Sequence, residues 1–332
     1  MIHALLALLP VCGFLAALLY LDSYKLVPLK WIVAVIAAGC VVALASYPIN
    51  MAALNWLGIE FPFYTRYVAP ILEEALKALI IWWLMRNNRI GFLVDAAIFG
   101  FAAGAGFAIF ENLYYLTVFP DLALGTWIVR GFGTAVMHGG VTAMFAVVSH
   151  SMLGRYPTRG FSALLPGFAL AVLTHSVFNH FFFAPVVNTA LILGLVPLLF
   201  VAVFDRSERS MSAWLGAGFD ADTELLELIN SGEFSASNVG MYLHSLRVKF
   251  EGPIVADLLC YLRLYTELSI RAKGLLMMRE QGFANEVGDE TRAKLDELKY
   301  LENSIGATGK LAMKPFLRMS RKDLWQFYVL AS

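Results

Sequence analysis

The chain has 332 residues, of which 59% are hydrophobic and 15% charged, with 25 basic and 25 acidic side chains. So apolar a composition excludes an ordinary soluble globular protein and marks a polytopic membrane protein, and the balanced charge offers nucleic acid no basic surface. Only 9 of the basic and 7 of the acidic residues precede Asp205. That asymmetry predicts a membrane domain over residues 1–204 and a soluble helical domain over residues 205–332.

Seven apolar runs are predicted as spans: Ile2 to Leu21, Trp31 to Tyr47, Tyr67 to Arg86, Gly91 to Val118, Thr126 to Met152, Phe161 to Phe183 and Val186 to Phe204. The fold class expected is therefore all-α, a polytopic bundle of about seven spans followed by a C-terminal soluble helical domain. The first run lacks a basic leader and a small-x-small cleavage site, so it is expected to be retained as a signal anchor. Cys12, Cys40 and Cys260 share no close spacing and suggest neither a disulfide framework nor a cysteine metal site.

Basic residues follow the odd-numbered spans at Lys25 and Lys30, Arg86 and Arg89, Arg155 and Arg159, and Arg206 and Arg209, whereas Arg66 and Arg130 fall on the other side. The positive-inside rule then places the amino terminus outside the cell membrane and the C-terminal domain in the cytoplasm. The tail reads as several helices separated by Gly232, Gly252-Pro253, Gly282 and Gly306, with a helix start expected at Asp220 to Thr223.

The third run is unusual in carrying Glu73, Glu74 and Lys77, since a charge at the bilayer centre costs several kcal/mol and persists where it serves a function. Lys77 lies four residues after Glu73 and three after Glu74, so one ammonium reaches either carboxylate on a helix. A structural ion pair between spans satisfies the same spacing. Depth separates the two readings. At about 1.5 Å per residue from the outer end of each span, Glu73, Glu74, Glu111 and Asn112 lie roughly 10 Å in, His175 about 12 Å and His138 about 12 to 18 Å, with Asn179 one turn above His175. Four spans thus bring two histidines and three carboxylates to one layer, which helix packing alone does not require. Asp95, His150 and His180 fall outside that layer and are expected at interfaces, as are the aromatic residues Trp56, Tyr64, Tyr67, Tyr114, Tyr115 and Trp127. Gly100, Gly104 and Gly106 allow close approach of neighbouring backbones. Gly131, Gly133, Gly139 and Gly140 around His138 either pack or loosen the helix.

Glu73-Glu74-x-x-Lys77, Phe107-x-x-x-Glu111-Asn112-x-x-Tyr115, His138 and His175-x-x-x-Asn179 occur in that order on successive spans. Together they resemble the PrsW family of intramembrane proteases, related to the type II CAAX prenyl endopeptidases. Those enzymes carry arginine where Lys77 stands and histidine where Glu111 stands, and both departures bring this chain nearer PrsW. The resemblance covers roughly residues 60–185 and implies hydrolysis of a peptide bond in a membrane-anchored protein, PrsW itself acting on an anti-sigma factor. It implies Glu73 as general base, Glu74 and Lys77 tuning it, and Glu111, His138, His175 and Asn179 lining the catalytic cavity.

Taken alone, the buried polar layer also suits a proton-coupled transporter or a non-catalytic scaffold. Two mechanisms are open within the protease reading. Glu111, His138 and His175 offer three ligands to zinc, with Glu73 or Glu74 as base. Alternatively, Glu73 activates water directly while His175 and Asn179 donate to the tetrahedral oxyanion.

Overall fold

The computed structural model describes residues 1–283, 287–317 and 319–331, and every regular element among them is helical. Among the described residues, six helical segments are long and apolar enough to cross a membrane: Ile2–Leu21, Leu29–Leu57, Leu93–Val118, Leu124–Arg155, Gly160–His180 and Pro185–Asn230. This is a multi-pass membrane protein. The remaining apolar run of the sequence forms the helix Ala69–Arg86, which is set apart by its four charged residues. The chain divides into two compact units, Met1–Glu208 and Arg209–Ser332.

The first unit contains α1 (Ile2–Leu21), α2 (Leu29–Leu57), α3 (Ala69–Arg86), α4 (Leu93–Val118), α5 (Ala135–Arg155), α6 (Leu165–His180) and the beginning of α7 (Pro185–Asn230). α4 is its axis, buried along most of its length and packed chiefly on α5 and α2. Its glycines make this geometry. A Cβ on Gly104 would lie 2.1 Å from the carbonyl oxygen of His138 on α5, and one on Gly106 2.1 Å from that of Ile36 on α2. Larger residues would force the helices apart, whereas glycine allows the backbone contact that associates helices in lipid.

The helices depart from the apolar pattern in α2 and before α5. α2 continues beyond Tyr47 through Pro48 to Leu57, because an internal proline removes one hydrogen bond without ending a well-packed helix; Gly58, at φ 60°, ends it by bonding Leu54. The fifth predicted span is interrupted before α5 by a π-helical turn at Val129–Thr134, and a second π turn, Tyr64–Val68, precedes α3. Asp95 lies in the first turn of α4. It is buried and accepts the backbone N–H groups of Gly91 at 2.8 Å and Phe92 at 3.1 Å, capping α4. Three of the aromatic residues expected as anchors make specific contacts: Trp127 is buried and stacked with His3, and Tyr64 and Tyr115 belong to networks near the charged layer.

The second unit comprises the remainder of α7 with α8 (Asn238–Ser245), α9 (Gly252–Glu280), α10 (Asp289–Met313) and α11 (Arg321–Ala331). Gly232 and Gly282, at φ 78° and 82°, follow α7 and α9, and Gly306 at φ 63° kinks α10, so the sequence breaks are real. The helix start expected at Asp220 to Thr223 is not: those residues lie inside α7, where Asp222 instead accepts a bond from the buried Lys273 at 2.5 Å. Lys273 also donates to Gln326 at 3.1 Å, and Trp214 donates to Asp323 at 3.0 Å, so α7, α9 and α11 are joined by satisfied polar contacts within an apolar core that includes Tyr261 and Trp325.

Candidate active site

The charged layer assembles from four helices. On α3, Lys77 is fully buried and donates to Glu74 Oε1 at 2.6 Å and to His138 Nδ1, on α5, at 3.0 Å. The Phe107 ring on α4 lies 4.4 Å from the same ammonium, completing its surroundings with a favourable quadrupole. From α6, His175 Nδ1 donates to Glu74 Oε1 at 2.9 Å. The two imidazoles meet edge to face with centroids 4.8 Å apart.

These bonds dictate the tautomers. An ammonium has donors alone, so His138 accepts at Nδ1 and, when neutral, carries its proton on Nε2; that nitrogen faces Glu111 Oε2 at 3.5 Å. His175 donates from Nδ1 to a carboxylate, so its neutral ring presents a lone pair at Nε2, 3.9 Å from Glu73 Oε2. One histidine is thus a donor into the site and the other an acceptor.

The three carboxylates differ in company. Glu74 is buried against Lys77. Glu111, 29% exposed, is paired with Arg130 at 3.3 Å. Arg130 belongs to the π turn before α5, donates from Nε to Asn112 at 2.9 Å, and stacks on Tyr115 at 3.5 Å from its centroid. Glu73, 15% exposed, meets the amide of Asn50 at 3.4 Å and His175.

Six of the seven residues singled out in the sequence therefore share one network: Glu73, Glu74, Lys77, Glu111, His138 and His175. Asn179 stands beside it, its amide donating to the backbone oxygen of Thr65 at 3.0 Å. Arg130, Asn50 and Tyr64 were not singled out as site residues.

A PrsW family model, described as an intramembrane metalloprotease, matches residues 27–204, more than half of the chain. This chain belongs to the PrsW family. It is an intramembrane protease, and its substrate is a protein in a membrane. Neither the curated proteins nor the solved structures yield a match. The PrsW match spans α2 to the first part of α7 and includes every residue of the charged network.

Metal fit can be judged from the donor set. Glu73, His138 and His175 each offer a ligand atom, all within 4.8 Å of one another. Two imidazoles and a carboxylate suit zinc, and His175 already has the carboxylate partner at Nδ1 that orients ligating histidines. His138 would ligate through Nε2 with its proton moved to Nδ1, where the Lys77 bond would have to yield, since histidine binds a metal as a neutral imidazole. The set fits a divalent ion, and its carboxylate is Glu73, 3.9 Å from His175; Glu111, 3.5 Å from His138, is engaged by Arg130.

Proposed function

We propose that this protein cleaves a membrane-anchored regulatory protein, of the kind represented by an anti-sigma factor, with Glu73 taking the proton of the attacking water. The observation that carries this reading is the distribution of cations: Lys77 neutralises Glu74 and Arg130 neutralises Glu111, leaving Glu73 partly exposed with acceptor capacity to spare. Water attacks the scissile carbonyl carbon as its proton passes to a Glu73 oxygen. The resulting oxyanion is stabilised by the Nε2 proton of His138, held inward by Lys77. Glu73 then returns the proton to the amide nitrogen and the C–N bond breaks. Glu74 keeps His175 oriented throughout. Asn179 supports the cavity wall in this reading rather than donating to the oxyanion.

Residues 1–204 form the protease domain of this reading, in a cell membrane with the amino terminus outside and the site in the outer half of the bilayer. Residues 205–332 are cytoplasmic and regulate or recruit. The basic residues following alternate spans support that orientation.

A second reading is favoured by the compact donor set. Glu73, His138 and His175 would hold zinc, which when bound supplies Lewis acidity that polarises a carbonyl and acidifies water. Glu73 then serves as ligand instead of base.

In the first reading Glu73→Gln lowers cleavage of a membrane-anchored substrate about 100- to 10,000-fold, the usual worth of a general base, without altering metal content. In the second, purified protein carries stoichiometric zinc that Glu73→Gln, His138→Ala and His175→Ala each reduce. Unchanged cleavage by Glu73→Gln removes both.

A further inference from the structure

Behind Glu73, away from the histidines, lies a short chain of polar groups that the charged network does not include. Asn50 on α2 donates from Nδ2 to Glu73 Oε1 at 3.4 Å, and the buried Tyr64 donates its hydroxyl to Asn50 Oδ1 at 2.7 Å. Tyr64 is the first residue of the π turn Tyr64–Val68. α6 fixes that turn by two bonds to its backbone: Asn179 Nδ2 to Thr65 O at 3.0 Å and Ser176 Oγ to Arg66 O at 2.6 Å. The helix that supplies His175 thus also holds the tyrosine in place.

We propose that Tyr64 and Asn50 are positioning residues forming a reversible hydrogen-bond relay that holds Glu73 in both states of its proton cycle. The proposal rests on Glu73 being the base. An ionised carboxylate is an acceptor only, so it requires the NH2 end of Asn50, which turns Oδ1 towards the Tyr64 hydroxyl. That is the arrangement present. Once Glu73 has taken a proton from water, its hydroxyl needs an acceptor. A half-turn of the Asn50 amide supplies Oδ1, and the NH2 end then donates to the Tyr64 oxygen, because a phenol both donates and accepts. In either state the Glu73 oxygen that faces Asn50 keeps a partner, avoiding the roughly 1–3 kcal/mol cost of leaving it unpaired. The 3.4 Å contact is long for such a bond, as catalytic hydrogen bonds commonly are before substrate closes the site.

A pair that merely packs α2 against the π turn would change stability without selectively changing turnover. The test uses full-length protein in detergent and a single-span reporter peptide cut by the wild type. Tyr64→Phe keeps the ring and removes the hydroxyl. Its kcat is expected to fall about 10- to 100-fold, the usual penalty for a slightly misplaced reacting group, with KM unchanged. Asn50→Ala and the equally sized Asn50→Asp are expected to fall at least as far. The double variant Tyr64→Phe/Asn50→Ala should be no worse than Asn50→Ala, because the two residues act in series. Wild-type kcat in Tyr64→Phe, or losses that multiply in the double variant, overturns the relay. Glu73→Gln measured beside them keeps the two ideas apart. If it is inactive while Tyr64→Phe is normal, the relay alone falls; if it is fully active, the base assignment falls with it.

Discussion

Lys77→Met tests whether the buried cation organises the site or merely occupies it. The ammonium lies 2.6 Å from Glu74 and 3.0 Å from His138 Nδ1. At that separation, with an effective dielectric of about 20, the ion pair attracts by roughly 6 kcal/mol. Relaxation reduces the cost of breaking a buried pair to about 3–5 kcal/mol. At about 2–4 °C per kcal/mol for a unit of this size, Lys77→Met should melt roughly 6–20 °C below wild type. Adding Glu74→Gln removes the stranded charge while leaving an oxygen to accept from His175, so most of the lost stability should return. Activity should not return, because His138 has lost the donor that fixes its tautomer. Melting in detergent and cleavage of the reporter peptide, read on the same samples, give both quantities. Wild-type melting of Lys77→Met, or a double variant melting below the single one, would refute the reasoning.

Two further outcomes follow from packing and charge. Gly104→Ala puts a Cβ 2.1 Å from the carbonyl oxygen of His138, so it should cost about 1–3 kcal/mol and lower cleavage, whereas Gly125→Ala, with nothing within 4 Å, should change neither. In intact cells, single cysteines at Gly58 and Asp121 should react with an impermeant thiol reagent while those at Arg89, Arg159 and the C-terminal unit stay protected until the membrane is opened; the reverse pattern would invert the topology.

What could be read from the sequence was what the bilayer makes expensive. Glu73, Glu74, Lys77, Glu111, His138 and His175 stood out because charged and polar groups in apolar runs require a reason, and their shared depth anticipated the contacts between α3, α4, α5 and α6. Asn50, Tyr64 and Arg130 escaped because each has a cheap alternative near the end of a span: a helix-end amide, an interfacial ring, a loop cation. Their signal was the same depth count, which places residues near span ends beside Glu73 and Glu111 once the π turns are allowed for. Glycine spacing announced close approach at Gly104 and Gly106 but not the partner, since a small residue carries no mark of what lies opposite. The jump in charged residues after Phe204 describes the surroundings of the side chains and not the backbone, which is why α7 runs through it without a break.

The charge count of the site links its two mechanistic readings. With both histidines counted as neutral, as the Lys77 bond requires of His138, three carboxylates face two cations, Lys77 and Arg130. The excess negative charge falls on Glu73, the most water-accessible carboxylate without a cation against it in this geometry. A proton taken from water neutralises that excess, and so does coordination to a divalent ion. Either way, the site concentrates its unsatisfied charge at the one of these carboxylates that meets both His175 and the Asn50 amide. Glu73→Gln therefore disables both mechanisms, and metal content, rather than loss of activity, is the quantity that separates them.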